Sequence, residues 1–319
     1  MSESMRKGAP RHWAAIAESS FVGGMRLLFW ICRVFGRWPF RIVLYPVLAW
    51  YVLAKPDARR ASQMYLSHMA QYASVPQGWY GVLRHFGSFA ETILDKMLLW
   101  GGLFDMAQVR YVGLEPMQRL LAERRGAVLV CAHLGNADLC RVLSHQVSGL
   151  RLTVLVHTRH ARAFNDMLAA IDPRSQMNLL QVTEMTPATA MLLAERVAQG
   201  EFVVIAGDRV PVSPDPSVTR APFLGAAAAF PVGPYVLASV LQCPLYMMFS
   251  MRRPGHHEIH FELLRESVRL PRKGRADAVA AIARDYAARL QHHAVRAPLD
   301  WFNFYDFWHS PLDKNDASC

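Results

Sequence analysis

Apolar residues recur at helical spacing over the first third of the chain, and short unbroken apolar runs take over afterwards. Ser62 to Tyr72 and Trp79 to Leu99 carry the helical pattern. From Gln108 the pattern alternates. It predicts strands at Val109–Val112, Ala127–Cys131, Leu152–Val156, Asn178–Val182, Phe202–Ile205, Leu245–Ser250 and Glu258–Leu264. Helices are expected near Pro116–Arg124, Asn136–Val147, Ala161–Ile171 and Pro187–Gln199, and a last amphipathic one spans Ala276 to Ala294. Strand–helix alternation with short connections predicts an α/β fold, its mostly parallel sheet covered by helices on both faces. The stretch Ala221 to Met251 is uncharged and long enough to span a bilayer, but Pro222, Gly225, Pro231, Gly233, Pro234 and Pro244 punctuate it. It reads as a short strand, a turn, a helix from Pro231 to Leu241 and a strand.

The N-terminus differs in kind. Between Phe21 and Ala54 an apolar block is interrupted by Arg26, Arg33, Arg37, Pro39 and Arg41, so its longest uncharged run, Ile42 to Ala54, is shorter than the roughly 20 residues a bilayer requires. On a helical wheel Arg26, Arg33 and Arg37 share one stripe, while Leu27, Leu28, Phe29, Ile31, Val34 and Phe35 fill most of the rest. Such a helix suits an anionic interface, with Trp30, Trp38, Tyr45, Trp50 and Tyr51 as anchors; a buried helical hairpin is the plainer alternative. The expected division is residues 1–102 as an N-terminal helical, membrane-interfacial region, 103–311 as the α/β domain and 312–319 as a disordered tail.

Composition narrows the class. The chain has 319 residues, 52% of them hydrophobic, which excludes general disorder. A net charge of +10 predicts attraction to an anionic partner: phospholipid headgroups, an acidic carrier protein or nucleic acid. The paired arginines Arg59-Arg60, Arg124-Arg125 and Arg252-Arg253 are dispersed and belong to no nucleic-acid-binding module, so no nucleic acid is expected. Cys32, Cys131, Cys140, Cys243 and Cys319 are odd in number and scattered, which favours a reducing compartment over a disulfide scaffold. His157-x-x-His160 and His256-His257-x-x-His260 lack a further ligand at a telling spacing, so neither a metal nor a cofactor is expected.

One motif carries chemistry. The strand ending at Cys131 runs into His133, then a helix start where Asn136 can cap and Asp138 lies in the first turn. An imidazole with a carboxylate five positions later can act as a general base whose tautomer the acid fixes. After the strand Phe202–Ile205 comes a second polar loop, Ala206-Gly207-Asp208-Arg209. In a parallel sheet it lies on the same edge as His133, where open α/β sheets bind ligands. Arg209 is a fork donor suited to a phosphate or an oxyanion, and Asp208 can orient it. The run Thr219 to Gly233, rich in small residues, admits the close approach of an extended chain. No Gly-x-Ser-x-Gly elbow is present, though the same His-Asp pair could serve a hydrolase by activating water.

These blocks, in this order, resemble the late acyltransferases of lipid A synthesis, within the wider lysophospholipid-acyltransferase-like group marked by a His-x4-Asp/Glu motif. The resemblance covers about Trp79 to Trp308. His133 and Asp138 fall on the motif's histidine and acid, and Pro222-Phe-Leu-Gly-Ala-Ala-Ala-Ala229 is similar to its Pro-Phe-Phe-Gly-x-x-Ala-Ala segment. Pro298-x-x-Trp301 resembles its C-terminal element. Asp stands where lipid A enzymes usually carry Glu, and Gly207-Asp-Arg replaces an Asp-x-Asp-x-Gly loop, which points to an outlying branch acting on another glycolipid, an amino-acid lipid or a polyene. The resemblance implies acyl transfer from an acyl carrier protein or coenzyme A thioester to a lipid or glycolipid, at the cytoplasmic face of a bacterial inner membrane. It implies His133 and Asp138 as catalytic residues, with Asn136, Gly207, Asp208, Arg209, Arg220, Phe223 and Gly225 as substrate-binding ones.

Overall fold

The computed structural model describes residues 30–100, 102–139, 150–156, 178–181, 186–210 and 216–308. The expected helix Ala161–Ile171, most of Asn136–Val147, His157 and His160, and the C-terminal tail lie outside the described residues. The chain separates into two compact units, up to Tyr45 and from Pro46 onward. In the first, residues 30–35 are helical and end at Gly36, whose φ of +69° closes that segment. Helix α1 is Trp38–Ala54.

The second unit holds helices α2 (Pro56–Met69) and α3 (Gly78–Trp100), then β1 (Val109–Val112), α4 (Glu115–Ala122), β2 (Val128–Cys131), β3 (Leu152–Val156) and β4 (Asn178–Gln181). There follow α5 (Pro187–Ala198), β5 (Phe202–Ala206), β6 (Val218–Phe223), β7 (Ala226–Pro231), α6 (Gly233–Leu241), β8 (Leu245–Arg253), β9 (His256–Arg265) and α7 (Arg275–Arg296). Seven strands form one sheet in the order β1-β9-β8-β2-β5-β3-β4. Every neighbouring pair in it is parallel except β8 with β9, whose short turn at Gly255 makes them a hairpin. The mostly parallel α/β architecture is therefore as the alternating pattern predicts.

The apolar runs of β2 and β5 are buried up to their last residues, Cys131 and Ala206, which are partly exposed, as central parallel strands ending at a site require. On one face, Leu245, Met247, Phe249 and Met251 of β8 join a core with Leu193 and Val197 of α5, Leu237 and Leu241 of α6, and Ile282, Ala283 and Tyr286 of α7. Helix α7 presents Val279, Ile282, Ala283, Tyr286, Leu290 and Ala294 as a stripe at helical spacing. On the other face α3 reaches β8 and β9, where Ser88 Oγ accepts from Arg252 Nη2 at 2.7 Å and Asp95 lies 3.6 Å from His257. Tyr65, Leu66 and Met69 of α2 lie in the main core, so the boundary expected at residue 102 falls inside the second unit.

One local expectation is corrected. Residues 226–231 form a strand, β7, antiparallel to β6, and the following helix starts at Gly233 instead of Pro231. Leu224 and Gly225 both have positive φ (+49° and +82°), which is the two-residue turn that reverses a chain into a tight hairpin. Read as small residues alone, the alanines do not reveal that pairing.

Beneath the site lies a fully buried histidine. His85 Nε2 donates to the carbonyl of Trp301 at 2.8 Å, and its Nδ1 accepts from Ser62 Oγ at 2.9 Å. Burial pushes its pKa down from 6.5 to about 4, against the pull of the Trp301 carbonyl. Because the folded value lies below the unfolded one, its contribution is complete above pH 6.5 and is lost as pH falls toward 4, by up to about 3 kcal/mol. Thermal melts from pH 7 to 4.5 should show this loss, and His85→Gln should be less stable at pH 7 but flatter across that range. Equal slopes for the two proteins would refute the assignment.

Candidate active site

The register of the sheet assembles the site. Cys131 of β2 lies beside Ala206 of the neighbouring parallel strand β5, and each chain continues two residues to a polar side chain, His133 and Asp208. Both therefore emerge at the carboxyl edge of the sheet, side by side. His133 Nδ1 is 2.7 Å from Asp208 Oδ1, and the backbone N–H of His133 donates to Asp208 Oδ2 at 2.8 Å. With a carboxylate on Nδ1, the ring proton sits there, which leaves the Nε2 lone pair free to take another. The side chain of His133 is 32% exposed while that of Asp208 is fully buried, so the base is open and its partner is not. Nε2 has no partner among the described residues.

The carboxylate that meets the imidazole is thus Asp208, where the motif spacing pointed to Asp138. Asp138 turns to Lys96 of α3, its Oδ2 2.5 Å from Nζ. The reason is local. Asn136 Oδ1 accepts from the Asp138 backbone N–H at 3.1 Å, starting the following turn and directing the acid toward α3. Gly135, with φ +59°, makes the reversal after His133 possible, and a side chain there would collide with the Ser250 carbonyl.

Asp208 stays charged in spite of its burial. Desolvation opposes ionisation, but the adjacent His133, its hydrogen bonds and the Arg209 guanidinium outweigh it and hold the pKa below the ordinary carboxylate value. Further donors come from the C-terminal segment: Trp301 Nε1 at 2.9 Å and Asn303 Nδ2 at 3.2 Å, both to Oδ2. That segment also grips the histidine loop by its backbone. Phe302 N–H donates to the His133 carbonyl and Gly135 N–H to the Asp300 carbonyl, both at 2.7 Å, and Leu134 bridges Trp301.

The remaining expected site residues divide. Arg209 gives Nε to Asn303 Oδ1 (2.8 Å) and Nη2 to the Phe302 carbonyl (2.9 Å), so part of its fork holds the C-terminal segment; the residue is otherwise exposed beside the pair. Gly207 is needed for space, because a Cβ there would sit 2.4 Å from Val130 Cγ1 and 2.9 Å from the Tyr286 ring. Phe223 is fully buried against Phe230, Trp301 and Phe307, which places it in the core. Gly225 forms the hairpin tip against Gln71 and Tyr72, and Arg220 is exposed on β6 opposite Ala229. None of these last three is brought to His133 by a direct contact. Sequence reasoning missed Trp301 and Asn303 as donors to Asp208 and Lys96 as the partner of Asp138; the one signal was the Pro298-x-x-Trp301 element.

An apolar cavity of about 280 Å³ lies at the carboxyl ends of β3 and β5, lined by Leu155, Ile205, Ala190 of α5 and Gly233, Val236, Leu237 and Val240 in and at the start of α6. It lies near the same sheet edge as the pair, but His133 is not among its walls. Separately, His260, Glu262 and His293 bring possible metal-ligand atoms within 4.8 Å of one another between β9 and α7. Arg289 already forks onto Glu262 with two 2.6 Å bonds and His293 Nε2 adds a third at 2.8 Å, so this group reads as an ionic clasp on α7. His257, next in sequence to His256, faces the opposite side of β9, as strand alternation demands.

Compared with known families, residues 90–310 match the family described as bacterial lipid A biosynthesis acyltransferase, a span that takes in both polar loops and the C-terminal segment. No curated protein matches the chain.

Proposed function

Since the chain belongs to the bacterial lipid A biosynthesis acyltransferase family, we propose that His133 and Asp208 form the acid–base pair of an acyl transfer from a thioester, carried by acyl carrier protein or coenzyme A, to a hydroxyl or amine of a lipid A-like acceptor. The observation that carries this reading is the 2.7 Å contact between His133 Nδ1 and a buried, ionised Asp208, with Nε2 left open at the carboxyl edge of the sheet. Nε2 takes the proton of the acceptor group as that group attacks the thioester carbonyl. The resulting tetrahedral oxyanion collapses, the C–S bond breaks, and the imidazolium returns its proton to the departing thiolate. Asp208 fixes the tautomer and stabilises the transient imidazolium. The exposed part of the Arg209 guanidinium and nearby backbone N–H groups serve as donors to the oxyanion or to a substrate phosphate.

Asp138, expected from the motif spacing to orient the imidazole, acts in this reading on Lys96, bracing the helix start behind the histidine loop. The apolar cavity beside Ile205 suits part of an acyl chain. Membrane approach is supported by the apolar residues that α1 leaves exposed, among them Trp38 (70%) and Trp50 (66%), and by a net charge of +10. No helix among the described residues is long and apolar enough to cross a bilayer, which fits interfacial attachment at the cytoplasmic face of the inner membrane.

The test is product analysis. The full chain is incubated with an acyl-thioester in the presence and absence of a lipid A precursor. Acylated lipid formed in step with thiol release supports transfer. Free fatty acid formed at the same rate with or without acceptor would replace it with hydrolysis by the same pair.

A further inference from the structure

From the contacts around Asp208 we infer that Trp301 and Asn303, in the segment after α7, are positioning residues for His133 that act through the carboxylate. The inference rests on the proposed acid–base pair and extends it to a part of the chain more than ninety residues beyond Asp208.

The two oxygens of Asp208 are used unequally. Among the described residues Oδ1 meets only the imidazole Nδ1. Oδ2 receives the His133 backbone N–H at 2.8 Å, the Trp301 indole N–H at 2.9 Å and the Asn303 amide at 3.2 Å. A carboxylate pinned through one oxygen cannot rotate, so the other stays aimed at the ring. Asn303 also bonds the Asp208 carbonyl (3.1 Å) and takes Arg209 Nε on its own oxygen, so one amide ties together the residues on both sides of that peptide. Charge-assisted bonds of this kind are stronger than neutral ones and favour the ionised acid.

The segment is itself anchored. Trp301 is fully buried, its carbonyl accepts from His85, and Asp300 takes Ser88 Oγ (2.6 Å) and the Arg252 backbone N–H (2.9 Å). Its indole therefore has no freedom to leave Asp208. The charged and titratable groups that face the pair are Arg209 on its own loop, Tyr286 of α7 and Tyr305 of the segment. None of these replaces the two donors on Oδ2.

Trp301→Phe and Asn303→Leu each remove one donor while keeping most of the bulk. With a donor gone, the carboxylate is free to rotate, and its hold on the imidazole Nδ1–H and on the imidazolium weakens. The acid limb of kcat/KM should then move to lower pH by about one unit, and kcat should fall about tenfold with KM unchanged. Nitrogen-15 NMR of histidine-labelled full chain, with the His133 signal identified by its loss in His133→Ala, should show the Nδ1–H tautomer in the parent protein. The variants should show a mixture. A folded variant that keeps both tautomer and acid limb overturns the inference, even if its rate falls. If Trp301→Phe does not fold, Asn303→Leu decides by the same readings. If the parent protein transfers no acyl group, the proposed function fails, while the NMR result still decides the positioning role.

Discussion

His133→Ala should lower acyl transfer by about 10³-fold or more while the melting temperature stays close to that of the parent protein. The expectation follows from where the residue's contacts lie. The backbone of His133 carries the structural bonds, with N–H to Asp208 and carbonyl to Phe302, and both survive the substitution. The ring alone contributes the base, and it is the partly exposed member of the pair. Removing it takes away proton transfer in both the attack and the collapse, and leaves a buried carboxylate still satisfied by three donors. The measurement is turnover with thioester and lipid acceptor, run beside circular dichroism. A variant that folds and turns over normally would remove His133 from the chemistry and the proposed mechanism with it.

The second large effect separates two carboxylates. Asp208→Asn should cost about 10³-fold, because an amide N–H facing Nδ1 drives the ring proton to Nε2 and blocks the base. Asp138→Asn should cost on the order of tenfold in rate and about 1–3 kcal/mol in stability, since it loosens the Lys96 ion pair without touching the imidazole. The pH profiles should differ as well. Asp208→Asn should abolish the shape set by the pair, whereas Asp138→Asn should only scale it. Steady-state rates of the two variants from pH 5 to 9 make the comparison. The reverse ranking would return the orienting role to the acid that the motif spacing points to.

Because Asp208 is held by residues near the end of the fold, the second unit works as one piece around the pair. Helix α7 meets the site twice, through Tyr286 OH on the Cys131 carbonyl (2.9 Å) and through the segment that follows it. The clasp of Arg289 and His293 on Glu262 fixes α7 to β9. Partial burial disfavours the Glu262 charge, but these bonds hold its pKa down at about 2, so the clasp persists across the range in which the enzyme would be assayed.

Much of this was readable in one dimension. The alternation of buried strands and amphipathic helices is written in side-chain periodicity, so β1, β3 and α7 fall where the pattern predicts them. The placement of His133 and Asp208 in loops at one sheet edge follows from parallel strands alone. The choice of partner for the imidazole did not follow. It depends on the register Cys131↔Ala206, a relation between strands 75 residues apart, and on Asn136 turning Asp138 toward α3. The hairpin β6–β7 and the donors Trp301 and Asn303 are also products of tertiary packing. Local sequence determined which groups could do chemistry and on which edge they stand, because periodicity and turn residues act over a few positions. Distance along the chain carries no information about hydrogen bonds between remote segments, so only the folded structure decided which carboxylate the histidine meets.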